Sequence, residues 1–139
     1  MKRFLVPFDG SEQARRALEY ALTEHADEEL TALYVLNPAE WGYGSPNSGF
    51  GKRWYEEAKD ESEKTRSDAT ALATEHGVEI ATAEEVGVPS DVITEYAGEH
   101  DIDHIIIGSH GRSGTKRLVL GSVAEAVARN VSIPVTIIG

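Results

Sequence analysis

The residues whose types and spacing are best suited to chemistry lie in a glycine-rich segment, residues 108–124. Its sequence is GSHGRSGTKRLVLGSVA, with glycines at 108, 111, 114 and 121. It follows the apolar run Ile105–Ile107 and leads into a helical pattern that begins near Ser122. Glycine lets a backbone approach an anion closely, and a helix start supplies free N–H groups at the positive end of the helix dipole. The segment therefore predicts a phosphate-binding loop between a buried strand and a helix.

Charge placement supports the same prediction. The chain has 24 acidic residues, yet none lies between positions 103 and 125. Within that interval, the glycine-rich segment 108–124 holds four residues that are basic or can become so: His110, Arg112, Lys116 and Arg117. In a chain this acidic, a segment with basic residues and no carboxylates indicates a binding site for an anionic ligand. The alternative is a surface loop whose basic residues are merely solvated.

The start of the last helix is predicted from Ser122, which has Glu125 three residues later. This spacing fits a capping box, so Ser122 is predicted to cap a helix over Ser122–Asn130. The glycines at 108, 111 and 121 are expected to be required because a Cβ at those positions would push the phosphates away from the backbone amides.

The glycine spacing excludes two familiar phosphate loops. A Walker A loop needs G-x-x-x-x-G-K-[ST], and a dinucleotide loop needs G-x-G-x-x-G; neither is present. The spacing Gly108-x2-Gly111-x9-Gly121-Ser122 instead resembles the ATP-binding motif of the universal stress protein family. The resemblance extends over residues 1–139 and includes three shorter landmarks: Phe4–Ser11, Gly87–Pro89 and Ser132–Val135.

The resemblance implies an ATP site and a role for each matching residue. Pro7 and Phe8 would flank the base, and Val35 would lie against adenine. The sugar and phosphates would meet the end of the fourth strand and the loop, and the last helix would supply amides; these residues are Ile107, Gly108, His110, Gly111, Arg112, Gly121, Ser122, Val123 and Ala124. Phe8 is larger than the small aliphatic residue often found there.

Asp9 is the one acidic residue expected to face this site. It follows the first predicted strand, where it would either hold a nucleotide-bound magnesium or manganese ion or accept a hydrogen bond from the ribose or the base. It would also serve as a helix cap, a role it shares as a candidate with Ser11. These alternatives are not mutually exclusive.

The elements that position these residues follow from periodicity. Strands are predicted at 3–8, 30–36, 78–84, 103–107 and 135–138, and helices from about 11, 52, 89 and 122. The first helix has the clearest apolar face: Ala14, Ala17, Leu18, Ala21 and Leu22. The second helix, residues 52–76, has a weakly apolar stripe of mostly small residues that is expected to be buried on the sheet: Tyr55, Ala58, Ser62, Thr65, Ala69, Leu72 and His76. Alternating strands and helices predict a doubly wound parallel sheet with helices on both faces. Strands one and four have the unusual carboxyl ends, so they are inferred to be neighbours in the Rossmann-like order 3-2-1-4-5, which the resemblance also implies.

Three further segments carry predictions. The apolar last strand Val135–Ile138 lies at the predicted sheet edge, which favours a homodimer formed through it. Residues 39–51 form an aromatic-rich loop that either closes over the ligand or anchors itself on the body. His100 and His104 straddle a helix end and a strand start, which predicts solvated surface and not a metal site. His25 and His76 are placed at helix ends, where a capping role suffices.

Composition limits the partners. The net charge is −11, which argues against nucleic acid and against an anionic membrane surface. The chain has no cysteine and no apolar run of membrane-spanning length, so a single cytoplasmic domain over residues 1–139 is expected. The acidic balance also fits a protein adapted to high salt.

Three classes of function remain. The first is an ATP-binding stress or signalling module that hydrolyses ATP slowly or not at all. The second is an enzyme, either a slow ATPase or a nucleotide hydrolase, in which Asp9 would be the only catalytic candidate. The third is a dimeric interaction protein whose site is unused.

Overall fold

The computed structural model describes residues 1–39, 49–110 and 120–139, with residues 49–52 described by backbone alone. Five strands alternate with four helices along the described chain. In chain order they are β1 Arg3–Pro7, α1 Glu12–Glu24, β2 Glu29–Leu36, α2 Gly49–Glu75, β3 Ala81–Val86, α3 Pro89–Glu99, β4 His104–Gly108, α4 Ser122–Asn130 and β5 Val135–Ile138.

The strands form one parallel sheet in the order β3-β2-β1-β4-β5, which confirms the predicted order. β1 pairs with β2 on one side and with β4 on the other, where Phe4 lies opposite His104 and Leu5 opposite Ile105. β4 then pairs with β5 from Ile105–Val135 to Gly108–Ile138. β3 and β5 are therefore the two sheet edges.

The sheet is covered on both faces, as its unbroken apolar strands require. Alternate residues of β1 and β4 point to opposite faces: Phe4, Val6 and Ile106 pack with α1 and α2, whereas Leu5 and Ile105 belong to the cluster under α3 and α4. All five apolar residues predicted for the inner face of α1 are buried. α1 thus packs on β1 and β4, the two strands whose carboxyl ends carry the candidate site.

α2 differs from the prediction at its start and in the residues that it buries. It begins at Gly49, three residues before the predicted start, and β3 begins at Ala81, three residues after its predicted start. The small-residue stripe does pack inward, and Ser62 and Thr65 are buried within it. Trp54 is buried where Tyr55 was predicted, and His76 is exposed. The predicted loop at 39–51 lies mostly outside the described residues.

The histidine prediction was wrong for His104. Its side chain is half-buried and stacks on Phe4 with ring centroids 4.9 Å apart. His100 is exposed, as predicted, and stacks on Tyr96 at 3.7 Å. Within the described residues, no helix is long and apolar enough to cross a membrane.

Candidate functional site

The candidate site lies at the carboxyl ends of β1 and β4. From β1 the chain crosses toward β2 and β3, whereas from β4 it crosses toward β5 on the other side. Open parallel sheets have a crevice where the direction of winding changes in this way, and ligands bind there. The helices that follow these two strands, α1 and α4, begin beside the crevice.

The turn after β1 is fixed by its own hydrogen bonds. The Asp9 carboxylate accepts from the Ser11 N–H at 2.9 Å, and the Ser11 hydroxyl accepts from the Ala14 N–H at 3.1 Å. Ser11 is therefore the N-cap of α1, which settles the choice left open between Ser11 and Asp9. Asp9 is half-buried and is held in a tight turn by its carboxylate, at the end of a central strand.

Pro7 and Phe8 lie beside the same crevice but present different groups to it. Pro7 is half-buried at the last position of β1. The Phe8 side chain is 4% exposed and packs in the core with α1, and its N–H donates to the Leu33 carbonyl at 2.8 Å. Phe8 therefore fills the core beneath the turn, which leaves its backbone, not its ring, beside the crevice.

Gly108 ends β4 directly against α1. A Cβ on Gly108 would lie 2.8 Å from the Gln13 Cβ and 2.9 Å from the Gln13 carbonyl carbon. Contacts below about 3.0 Å are not tolerated, and the second atom is backbone that cannot swing away. Glycine is thus required here by the close approach of α1, whereas the sequence had suggested a ligand as the reason.

The two ends of the glycine-rich segment are held together. The Ser109 N–H donates to the Ile138 carbonyl at 2.7 Å, and the Gly121 N–H donates to the Ser109 carbonyl at 2.6 Å. A Cβ on Gly121 would lie 2.7 Å from the Ser109 oxygen and 3.0 Å from the His110 Cα. The start of α4 is therefore held against the end of β4, and Gly121 is required because two backbones meet there.

The N-cap of α4 is Gly121, the residue before the helix, so the predicted capping box with Ser122 as the cap was wrong. Ser122 is instead the first helical residue, and no side chain in the described part of the chain caps the helix. The Glu125 N–H bonds to the Gly121 carbonyl at 3.0 Å. The three preceding amides, on Ser122, Val123 and Ala124, are the groups that a helix start leaves without an intrahelical partner. Ser122 is exposed, Val123 half-buried and Ala124 buried.

The remaining predicted residues lie near the ends of β4 and β2 or outside the described residues. His110 is half-buried, with its Nδ1 3.2 Å from the Ser109 hydroxyl, and Ile107 is a core residue. Val35 lies near the end of β2, half-buried and opposite Glu85 of β3. Gly111 and Arg112 lie outside the described residues. Gln13 was missed by sequence reasoning because a polar residue in a first helical turn carries no signal of the strand it will contact.

The site has few groups that would hold a metal ion. In the described ranges, no cluster of three or more His, Asp or Glu side chains is placed to bind one. Asp9 is the one carboxylate at the crevice among the predicted residues. Magnesium in nucleotide sites is commonly held by one or two carboxylates together with the phosphates and water. A single aspartate fits a metal that arrives with the nucleotide.

The fold and the crevice together define a doubly wound α/β protein with a helix start at its switch point. A model of the universal stress protein family matches residues 1–139. The chain is 33% identical over 139 residues to universal stress protein MJ0531 of Methanocaldococcus jannaschii, with 99% of this chain and 81% of that protein covered. The chain belongs to the universal stress protein family.

Solved structures share this fold. The universal stress protein UspA from Lactobacillus plantarum has a TM-score of 0.82 at 27% identity, and 99% of this chain and 97% of that one are covered. A universal stress protein in complex with cAMP has a TM-score of 0.76 at 25% identity, with 99% and 97% covered. Nucleotide binding is therefore recorded for a protein with this architecture.

Proposed function

We propose that this protein binds ATP in the crevice between β1 and β4 and acts as a cytoplasmic stress-response module with little or no turnover. The observation that carries the proposal is the start of α4. No side chain among the described residues caps it, and it is held against the end of β4 by the Gly121–Ser109 hydrogen bond. Amides that are free and fixed in place bind an anion without a cost of ordering.

The dimensions of the sheet suit a nucleotide. Val35 lies one residue before the end of β2 and Gly108 ends β4, with β1 between the two strands. Neighbouring strands are about 4.8 Å apart, so the two strand ends are about 10 Å apart. A base lying against Val35, beside Pro7 and the backbone of Phe8, would place its phosphates over Gly108, His110 and the start of α4. The relative that binds cAMP supports an adenine base.

The net charge of −11 opposes an anionic ligand, but the local contacts outweigh it. Exposed charges beyond about 8 Å are largely screened at physiological ionic strength. Hydrogen bonds to a charged oxygen contribute about 1.5–3 kcal/mol each. Two or three amides of α4 therefore exceed the residual repulsion.

A charge placed at the first turn of α4 tests the site. Ser122→Asp puts a carboxylate where the phosphates are proposed to bind, while a carboxylate there favours the helix itself by about 0.3–1 kcal/mol. ATP affinity, measured by calorimetry, should fall at least tenfold with no loss of thermal stability. Ser122→Asn is the matched control, since it has the same shape without charge and should bind ATP within about threefold of wild type.

If Ser122→Asp binds ATP as wild type does, the phosphates do not lie at α4 and the proposal is wrong. Phosphate release is followed in the same samples. Turnover by wild type at about 1–100 per second, as kinases show, would replace the non-catalytic proposal with an enzyme.

Asp9→Asn separates the two roles proposed for Asp9. The asparagine oxygen still accepts from the Ser11 N–H, so the turn is expected to survive. If Asp9 holds a phosphate-bound metal, the variant loses the gain in ATP affinity that magnesium or manganese gives wild type, and AMP binding is unchanged. Equal losses for ATP and AMP, with or without metal, would place Asp9 on the sugar or base.

We also propose that two copies pair through β5. This strand is a sheet edge with apolar residues, and Ile137 is 37% exposed on it. An exposed apolar edge invites pairing with another strand. Light scattering should give a dimer for wild type and a monomer for Ile137→Lys. A dimeric Ile137→Lys variant, or a monomeric wild type, would remove this proposal without touching the ATP site.

A further inference from the structure

A cluster of rings occupies the end of the sheet opposite the crevice. Phe4 of β1 stacks on His25, the residue that follows α1, with centroids 4.3 Å apart, and on His104 of β4 at 4.9 Å. The two imidazoles are 6.2 Å from each other, and Tyr20 packs its edge against His25 at 5.9 Å. Both histidines are half-buried.

The cluster is tied to the edge strand β5. His104 Nε2 lies 2.7 Å from the Thr136 hydroxyl oxygen, and this is a side-chain hydrogen bond between β4 and β5. A neutral imidazole either accepts from this hydroxyl or donates to it, whereas a protonated one must donate. β5 has only four residues, and this bond adds a side-chain link to its short backbone ladder with β4.

The charged groups around the cluster disfavour added positive charge. Burial, then His25, then Lys2 lower the pKa of His104 below its ordinary value of 6.5. Three carboxylates at this end of the sheet bond to groups other than the two imidazoles. Glu28 accepts from the Lys2 N–H, Asp103 accepts from the Arg3 N–H, and Glu29 pairs with the Arg3 guanidinium.

We propose that His25 and His104 form a proton-sensitive pair that holds β5 on the sheet at neutral pH and loosens it on mild acidification. Two imidazolium rings about 6 Å apart and partly removed from water repel each other, and the repulsion acts on the residue bonded to Thr136. The proposal is independent of nucleotide binding, because the cluster lies at the other end of the strands.

The direction of the effect follows from proton linkage. The pKa of His104 is lower in the folded chain than in the unfolded chain, so the unfolded chain binds more protons. The stabilisation is complete above about pH 6.5 and is lost as the pH falls from there toward the lowered folded value. Carboxylates titrate near pH 4, so they contribute little between pH 7.5 and 5.5.

Urea unfolding at pH 7.5 and 5.5 tests this proposal. At pH 5.5 a histidine with the ordinary pKa of 6.5 is protonated about ten times as often as it is neutral, so holding His104 neutral in the folded chain lowers the folding constant by up to about tenfold. We expect wild type to lose stability over this interval and His104→Gln, which still bonds to Thr136 but cannot charge, to lose several-fold less. His76→Gln is the matched control: His76 is exposed at the end of α2, away from the cluster, and its removal should leave the wild-type dependence.

Two measurements on the folded protein complete the test. Hydrogen exchange of the β5 amides should accelerate at pH 5.5, after correction for intrinsic rates, more than exchange in β1. NMR titration of wild type should place the His104 pKa below 6.5, and His25→Gln should raise it. A His104 that titrates at or above 6.5, or a His104→Gln variant with the wild-type pH dependence, would overturn the proposal. These readouts do not involve ATP, so the nucleotide proposal is tested separately.

Discussion

At the scale of single residues, the two glycines of the candidate site that the structure describes are explained by protein contacts. Gly108 faces Gln13, and Gly121 faces the backbone of Ser109 and His110. Each glycine lets two backbones approach, and that approach brings a helix start to the end of a strand. A substitution at either glycine would therefore displace α1 or α4 from the end of β4.

Gly108→Ala is accordingly predicted to destabilise the protein in the absence of any nucleotide. The added methyl would lie 2.8 Å from the Gln13 Cβ, and overpacking of this kind costs about 1–3 kcal/mol. Gly98→Ala is the matched control, since an added Cβ there would have no described atom within 4 Å apart from its chain neighbours and the backbone of its own helix, and alanine in a helix gains about 0.5–1 kcal/mol over glycine. The urea concentration at the unfolding midpoint should fall for Gly108→Ala and rise for Gly98→Ala, relative to wild type. A Gly108→Ala variant as stable as wild type would contradict this prediction, because it would show that α1 can shift away from β4 without a cost in stability.

At the scale of elements, much was predictable from local sequence. The strand order, the buried face of α1 and the edge position of β5 all follow from periodicity and from the carboxyl ends of β1 and β4. The N-cap of α4 was not predictable, because residue spacing alone cannot decide whether Gly121 or Ser122 adopts the extended conformation of an N-cap, and in the structure Gly121 does. His104 was misjudged because its burial comes from Phe4, 100 residues away in the chain.

Substitutions at the two helix starts test whether Ser11 is a cap and Ser122 is not. Ser11 caps α1 through its hydroxyl, so Ser11→Ala should cost about 1 kcal/mol of stability. Ser122 caps nothing in α4, so Ser122→Ala should change stability by less than about 0.5 kcal/mol. Equal losses in the two variants, measured by thermal or urea unfolding, would mean that Ser122 is a cap after all.

At the scale of the whole molecule, the excess of acidic residues sets how stability depends on salt. Two charges 10 Å apart in water repel by about 0.4 kcal/mol, and a net charge of −11 makes many such pairs. Four exposed ion pairs among the described residues oppose this: Arg3–Glu29, Arg15–Glu19, Arg16–Glu12 and Arg129–Glu125. Each is worth at most about 0.5–1 kcal/mol. Because repulsion outweighs these pairs, added salt should stabilise the fold.

Sodium chloride raised from 0.05 to 1 M should therefore raise Tm by several degrees, since about 1 kcal/mol corresponds to about 3–5 °C in a chain of this size. The rise should be steepest at low concentration, because the Debye length falls from about 10 Å at 0.1 M to about 3 Å at 1 M. Glu57 and Asp68 are exposed on α2, and changing both to lysine moves the net charge from −11 to −7. That variant should have a shallower rise, whereas Glu57→Asp with Asp68→Glu, which keeps the charge, should match wild type. A Tm that is flat in salt, or equal slopes in both double variants, would show that self-repulsion does not limit the stability of this fold.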